Sequence, residues 1–195
     1  MFIFKKIVNK IRNLFSEKPR IKLLKLMPKN SVCAEIGVWK GDYSKKMIDI
    51  VKPKELHLID PWHFFNDEKY KDSIYGGKEA KSEKDMENIY NDVLKRFSEN
   101  KEVIIKRNTF EEILNDYPDG YFDWVYIDGD HSYEAAKKDL RNSEKKVKEG
   151  GFITGDDYRE GGWWKGGVKK AVNEFIKEHP NKKIRIIGDQ FIIKK

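Results

Sequence analysis

A chain of 195 residues has room for one α/β domain with a full core and too little for two ordinary ones. Apolar residues make up 38% and charged residues 37%, which implies a heavily charged surface. The formal charge of +7 is local: Lys5, Lys6, Lys10, Arg12, Lys18 and Arg20 face only Glu17 in the first 20 residues, so the body is nearly neutral and a nucleic-acid-binding body is disfavoured. The single cysteine, Cys33, excludes an internal disulfide and sits in an apolar run, where it reads as a small core side chain. His57, His63, His131 and His179 lack a zinc spacing, no apolar run approaches the ~20 residues of a membrane span, and no signal-peptide core is present. A cytoplasmic location is the expectation.

In residues 1–16, Phe4, Ile7, Val8, Ile11, Leu14 and Phe15 share one helical face. This predicts an amphipathic helix that packs on the domain or on a second subunit, with a membrane surface as the alternative and a homo-oligomer as the expectation. A second short helix spans about 20–27 between Pro19 and Pro28, and residues 1–29 are taken as an N-terminal helical segment preceding a domain over 30–195. SVCAEIG (31–37) predicts the first strand. It runs into a helix with Tyr43, Met47, Ile50 and Val51 inward and Asp42 as its N-cap. Gly37 allows close backbone approach of a ligand and Gly41 opens the helix, but the spacing Glu35-x-Gly37-x-x-x-Gly41 is not the dinucleotide fingerprint. ELHLIDPW (55–62) predicts a second strand ending in Asp60, an acid placed to accept hydrogen bonds from ribose hydroxyls.

Residues 63–82 read as a long polar connection of the kind used as a lid, preceding a helix with Met86, Ile89, Tyr90, Val93, Leu94 and Phe97 on one face. EVIIK (102–106) is the third strand, after which Asn108 and Thr109 lead into a short helix capped by Thr109 and ended by Pro118. FDWVYI and GFI then predict two parallel strands joined by one helix that stops at Gly150-Gly151. Asp128, Asp156 and Asp157 thereby emerge on one edge of the sheet, where open α/β sheets bind ligands. Three carboxylates gathered there repel one another, and a hard divalent cation with oxygen ligands stabilises them. Asp130 reads as a cap, and Trp163 and Trp164 as packing or as a wall for a substrate ring. A last helix carries Val168, Val172, Phe175 and Ile176 inward, and the tail forms two strands joined at Gly188-Asp189.

This order resembles the class I S-adenosylmethionine-dependent methyltransferase fold: an α/β, Rossmann-like sandwich with a seven-stranded, mostly parallel sheet and an antiparallel strand in its C-terminal hairpin. AEIGVWKGDYS is similar to that family's first motif, HLIDPW to its ribose-binding strand, and YIDGDHSYEAAKKDL with GGFITGDDY to its fourth and fifth. The resemblance implies S-adenosyl-L-methionine as cofactor, with Glu35, Gly37 and Gly41 at its methionine end, Asp60 on the ribose, Asn108 and Thr109 beside the adenine, and Asp128 shared between cofactor and ion. Asp128, Asp156 and Asp157 resemble the Mg2+ ligands of catechol and caffeoyl-coenzyme A O-methyltransferases, although Asp157 stands where the catechol enzymes carry Asn. Asp-Gly-Asp-His at 128–131 is closer to metal-dependent sugar O-methyltransferases, which implies His131 as base and a small hydroxylated acceptor, such as a sugar. A nucleic-acid methyltransferase using the basic N-terminus and a non-catalytic binding module are the rival readings.

Overall fold

A computed structural model describes residues 18–195. The amphipathic helix expected over residues 1–16 lies outside the described residues. Seven strands form one sheet in the order β3-β2-β1-β4-β5-β7-β6. They are β1 (Val32–Ile36), β2 (Glu55–Ile59), β3 (Val103–Lys106), β4 (Phe122–Ile127), β5 (Val147–Gly155), β6 (Lys183–Ile187) and β7 (Gln190–Lys194). The β3-β2-β1-β4-β5 part is parallel, and β7 runs antiparallel to both β5 and β6, as the sequence suggested. The helices are α1 (Pro19–Leu26), α2 (Asp42–Val51), α3 (Glu83–Arg96), α4 (Tyr133–Lys146) and α5 (Gly167–Glu178).

The period of two along each strand sorts side chains onto two core faces. On β1, Ala34 and Ile36 join a core with Val125 and Ile127 of β4, Ala136 and Leu140 of α4, and Val168 and Val172 of α5. On the opposite face, Cys33 joins Trp124, Tyr126, Met47 and Val93 beneath α1, α2 and α3. Cys33 is fully buried there as a core side chain. Helix α1 packs on α2 and on the β6–β7 hairpin, with Leu23 and Leu24 fully buried. Each such leucine contributes about 2 kcal/mol of burial, which holds α1 against α2 and the hairpin.

Three local expectations are corrected. Helix α4 ends at Lys146, short of Gly150-Gly151: Val147 is already extended and pairs with Phe122 in the sheet. The two glycines lie in β5 where its register against β4 shifts, with Gly150 at φ +78, so they mark a bulge and not a helix stop. Asp42 is the first helical residue, and the cap position is Gly41 at φ 75. Thr109 does form a reciprocal box, its N–H donating to Glu112 at 2.7 Å while its hydroxyl faces the Glu112 N–H at 3.4 Å. The chain beyond this box nevertheless forms turns and the 3-10 helix Leu114–Asp116 in place of an α-helix. The connection over 63–82 holds the 3-10 helix Glu68–Tyr70 and a wide turn over Ile74–Lys78.

Candidate active site

The carboxyl ends of β1, β2, β3 and β4 open into one cleft of about 880 Å³. Its floor is the junction of the loops after β1 and β4, where the Asp128 N–H donates to the Ile36 carbonyl at 2.7 Å. Gly37 sits there at φ +86, and a Cβ on it would run into the backbone of Asp128 and Gly129. Only glycine satisfies both the turn and the contact. Glu35, 1% exposed, accepts a hydrogen bond from the Ser44 hydroxyl. Burial pushes its carboxyl well above the ordinary range, and the Ser44 bond pulls only partly back.

Asp60, at the end of β2, is the best-satisfied acid of the cleft. It accepts from the N–H groups of Val38 (2.8 Å), Trp39 (3.0 Å) and Trp62 (2.7 Å), and from the Tyr75 hydroxyl. Burial raises its pKa and these donors lower it. The wide turn thus delivers Tyr75 to the acid expected to hold ribose, and Tyr75 leans on Trp39 with ring centroids 4.9 Å apart. Asn108 and Thr109 line the same cleft beyond the end of β3, whereas Gly41 opens α2 beneath it.

At the ends of β4 and β5 the acids have fewer donors. Asp128, His131 and Asp157 each offer one ligand atom, all within 4.8 Å of one another, with His131 Nε2 3.5 Å from Asp157 and 4.0 Å from Asp128. Asp157 reaches this position through a left-handed backbone (φ 57), a conformation that aspartate tolerates better than most residues. Asp156, its neighbour, accepts from Arg20, Gln190 and the Asp157 N–H, and shares the Arg20 Nη2 with Asp128. The structure therefore brings all three acids to the ends of β4 and β5: Asp128 and Asp157 meet beside His131, and Asp128 and Asp156 meet around Arg20. Burial raises the Asp128 pKa well above its ordinary value, opposed by Arg20 and reinforced by Asp156 and Asp157. For His131 burial lowers the pKa against the pull of Asp157, Asp156 and Asp130.

Sequence reasoning does not find Arg20. It reaches from α1 to Asp128 (3.0 Å) and Asp156, with its guanidinium 5.2 Å from the Tyr43 ring centroid and 6.0 Å from that of Tyr126. Lysines and arginines on either side of it in the chain hide it, and only Pro19 starting a helix there hints at a fixed position. Tyr70 is equally unmarked: its hydroxyl donates to Asp130 at 2.6 Å, and its ring lies 5.4 Å from Trp163. Asp130 also accepts from the Ser132 N–H at 2.8 Å, but Ser132 is the N-cap of α4 and no side chain caps that helix, so Asp130 is not the cap expected of it. Trp163 and Trp164 stand 6.3 and 5.0 Å from the His131 ring and line the cleft, so Tyr70, His131 and the two indoles form an aromatic wall beside the acids.

A parallel sheet in this strand order, closed by an antiparallel hairpin, with a glycine turn after β1 and acids after β2 and β4, defines the class I methyltransferase fold. A methyltransferase-domain family model matches residues 34–158, and the chain belongs to that family. A protein of Acanthamoeba polyphaga mimivirus named uncharacterized protein R132 is 31% identical over 147 residues, which are 73% of this chain and 58% of that protein. The chain thus spans little more than half the length of this relative. Among solved structures, cofactor-bound Rv0187 from MTB superposes with a TM-score of 0.62 at 16% identity, covering 92% of this chain and 80% of that one. The O-methyltransferase NovP gives 0.61 at 20% identity over 91% and 79%. At these identities the two structures establish the fold. Among the described residues no helix is long and apolar enough to cross a membrane.

Proposed function

We propose that the chain is an S-adenosylmethionine-dependent O-methyltransferase that uses a divalent cation and methylates a hydroxyl of a small acceptor, a vicinal diol such as a sugar or catechol. The observation that carries this reading is the double duty of Asp128. Its backbone is locked against Gly37 in the cofactor cradle, while its carboxylate faces His131 and Asp157. Methyl donor and acceptor oxygen would thus meet around one residue, which is the alignment that transfer from a sulfonium demands.

The acids fit a divalent ion: the carboxylates of Asp128 and Asp157 converge beside His131, in a site whose burial disfavours unneutralised charge. Asp128 and Asp157 would hold such an ion, which when bound supplies Lewis acidity that lowers the pKa of a hydroxyl. Burial favours the neutral form of His131, so Nε2 is free to take the hydroxyl proton. Glu35 and Asp60 would fix the methionine and ribose ends of the cofactor, and the Tyr70, Trp163 and Trp164 rings would pack on the acceptor and exclude water. NovP, an O-methyltransferase by name, supports the oxygen acceptor by analogy of fold.

The test is a labelled-methyl assay with S-adenosylmethionine and a panel of sugars and catechols, run with Mg2+ or Mn2+ and with chelator. Transfer to a diol that chelator abolishes is expected. Transfer indifferent to chelator would remove the ion from the mechanism, and no transfer to any hydroxyl would remove the acceptor class.

A further inference from the structure

Helix α1 has two sides with different occupations. One buries Leu23, Leu24 and Met27 against the domain, and Arg20 reaches from the same helix into the cleft. The other side, continued just past both ends of the helix, carries Lys18, Lys22, Lys25 and Lys29 at spacings of four, three and four residues, all exposed, with the exposed Leu26 beside them. No acid occurs between Lys18 and Ala34, and among the described residues no ion pair reaches Lys18, Lys22 or Lys29. The acids of the adjoining α2 do not neutralise the stripe, because Asp42 is paired with Arg96 at 2.8 Å and Asp49 with Lys45.

The stripe belongs to a charge imbalance of the whole chain. Nine lysines and arginines in residues 1–34 face one acid, Glu17, and the chain beyond them is close to charge balance. A basic surface of this kind attracts either a nucleic-acid backbone or anionic lipid headgroups. The sequence that leads into Lys18 separates the two. Phe4, Ile7, Val8, Ile11, Leu14 and Phe15 recur at helical spacing among Lys5, Lys6, Lys10 and Arg12. An apolar face bordered by lysines inserts at the boundary of headgroups and acyl chains, whereas a phosphodiester backbone offers those side chains no apolar phase.

We propose that residues 1–17 and the lysine stripe of α1 together dock the protein on an anionic membrane surface. The lysines supply attraction to the headgroups and the apolar side chains supply insertion, two contributions that add. Arg20 reaches the cleft from a position two residues from both Lys18 and Lys22, so docking sets the cleft beside the lipid.

The test is sedimentation of the full chain with vesicles of phosphatidylcholine alone and of phosphatidylcholine mixed with phosphatidylglycerol. It is read without cofactor or acceptor, so its outcome is independent of methyl transfer. Binding is expected to the mixed vesicles only, and it should weaken as salt rises. Lys18→Glu, Lys22→Glu and Lys25→Glu combined, all at exposed positions, should weaken it at least about tenfold while the variant melts as the parent does. Ile7→Asp combined with Ile11→Asp should weaken it strongly although no lysine is lost. Equal binding to neutral vesicles, or binding that either set of substitutions leaves unchanged, would overturn the proposal. So would retention of duplex RNA in place of vesicles, which would assign the stripe to nucleic acid, or a concentration-dependent dimer without vesicle binding, which would assign it to a second copy of the chain.

Discussion

Two acids at the strand ends on either side of β1, Asp60 after β2 and Asp128 after β4, are held in opposite ways. Asp60 is satisfied by three backbone N–H groups and a tyrosine hydroxyl, all neutral donors. Asp128 stands among carboxylates, and what opposes their repulsion is the charge of Arg20 on Asp128 and Asp156 and of Arg159 on Asp157. Neutral donors preorganise a site for a neutral ligand, which under the proposed function is the ribose hydroxyls. Unbalanced carboxylates create a demand for a cation. The same cleft therefore has one rigid end for grip and one electrostatically unsettled end for chemistry.

The largest effect should come from the unsettled end. Asp157→Ala is expected to lower cation-dependent methyl transfer at least about 100-fold, the scale seen when metal sites lose supporting groups, while S-adenosylhomocysteine binds as before. Equal losses in cofactor binding would mean that the two ends are not separable. At the gripping end, Asp60→Ala orphans three N–H groups and should cost about 3 kcal/mol or more of stability in urea melts. A variant as stable as the parent would show that water satisfies those amides and that Asp60 is no scaffold.

A smaller change is expected at Arg20, whose side chain is 37% exposed and therefore screened. Arg20→Gln removes the resident positive charge from Asp128 and Asp156, so divalent ion affinity should rise about fivefold, equivalent to about 1 kcal/mol. A fall in affinity on calorimetry would make Arg20 a support for the ion and not its competitor.

The smallest effect concerns Glu35. Its folded pKa is raised by burial above the ordinary 4.5, so the folded chain holds a proton that the unfolded chain has lost, and stability falls as pH rises from that value through the folded pKa. Glu35→Gln removes that penalty and can keep the Ser44 contact. Its gain over the parent should grow as pH rises above about 4.5 and vanish below it. A gain independent of pH would show that Glu35 is not protonated in the fold.

The sheet is legible in the sequence because alternating and continuous apolar runs encode strands directly, and the glycine turn and acidic strand ends are legible because aspartate and glycine recur there for steric and electrical reasons. Side-chain direction is harder. Asp156 and Asp157 follow one another at the end of β5, yet Asp156 meets Asp128 around Arg20 and Asp157 meets it beside His131, an arrangement that depends on the left-handed turn at Asp157. Val147 illustrates the other limit: helical spacing and strand propensity agree on its burial and disagree on its conformation, and pairing with Phe122 decides it. Arg20, Tyr70 and Tyr75 come from segments with no motif, and tertiary packing alone brings them to the cleft.

Cation binding measured by calorimetry on the chain saturated with S-adenosylhomocysteine bears most directly on the pairing of a methyl-donor cradle with a cation site. One Mn2+ or Mg2+ per chain, lost in Asp157→Ala but retained in Asp60→Asn, is the expected result. No saturable binding, or binding that survives Asp157→Ala unchanged, would contradict it.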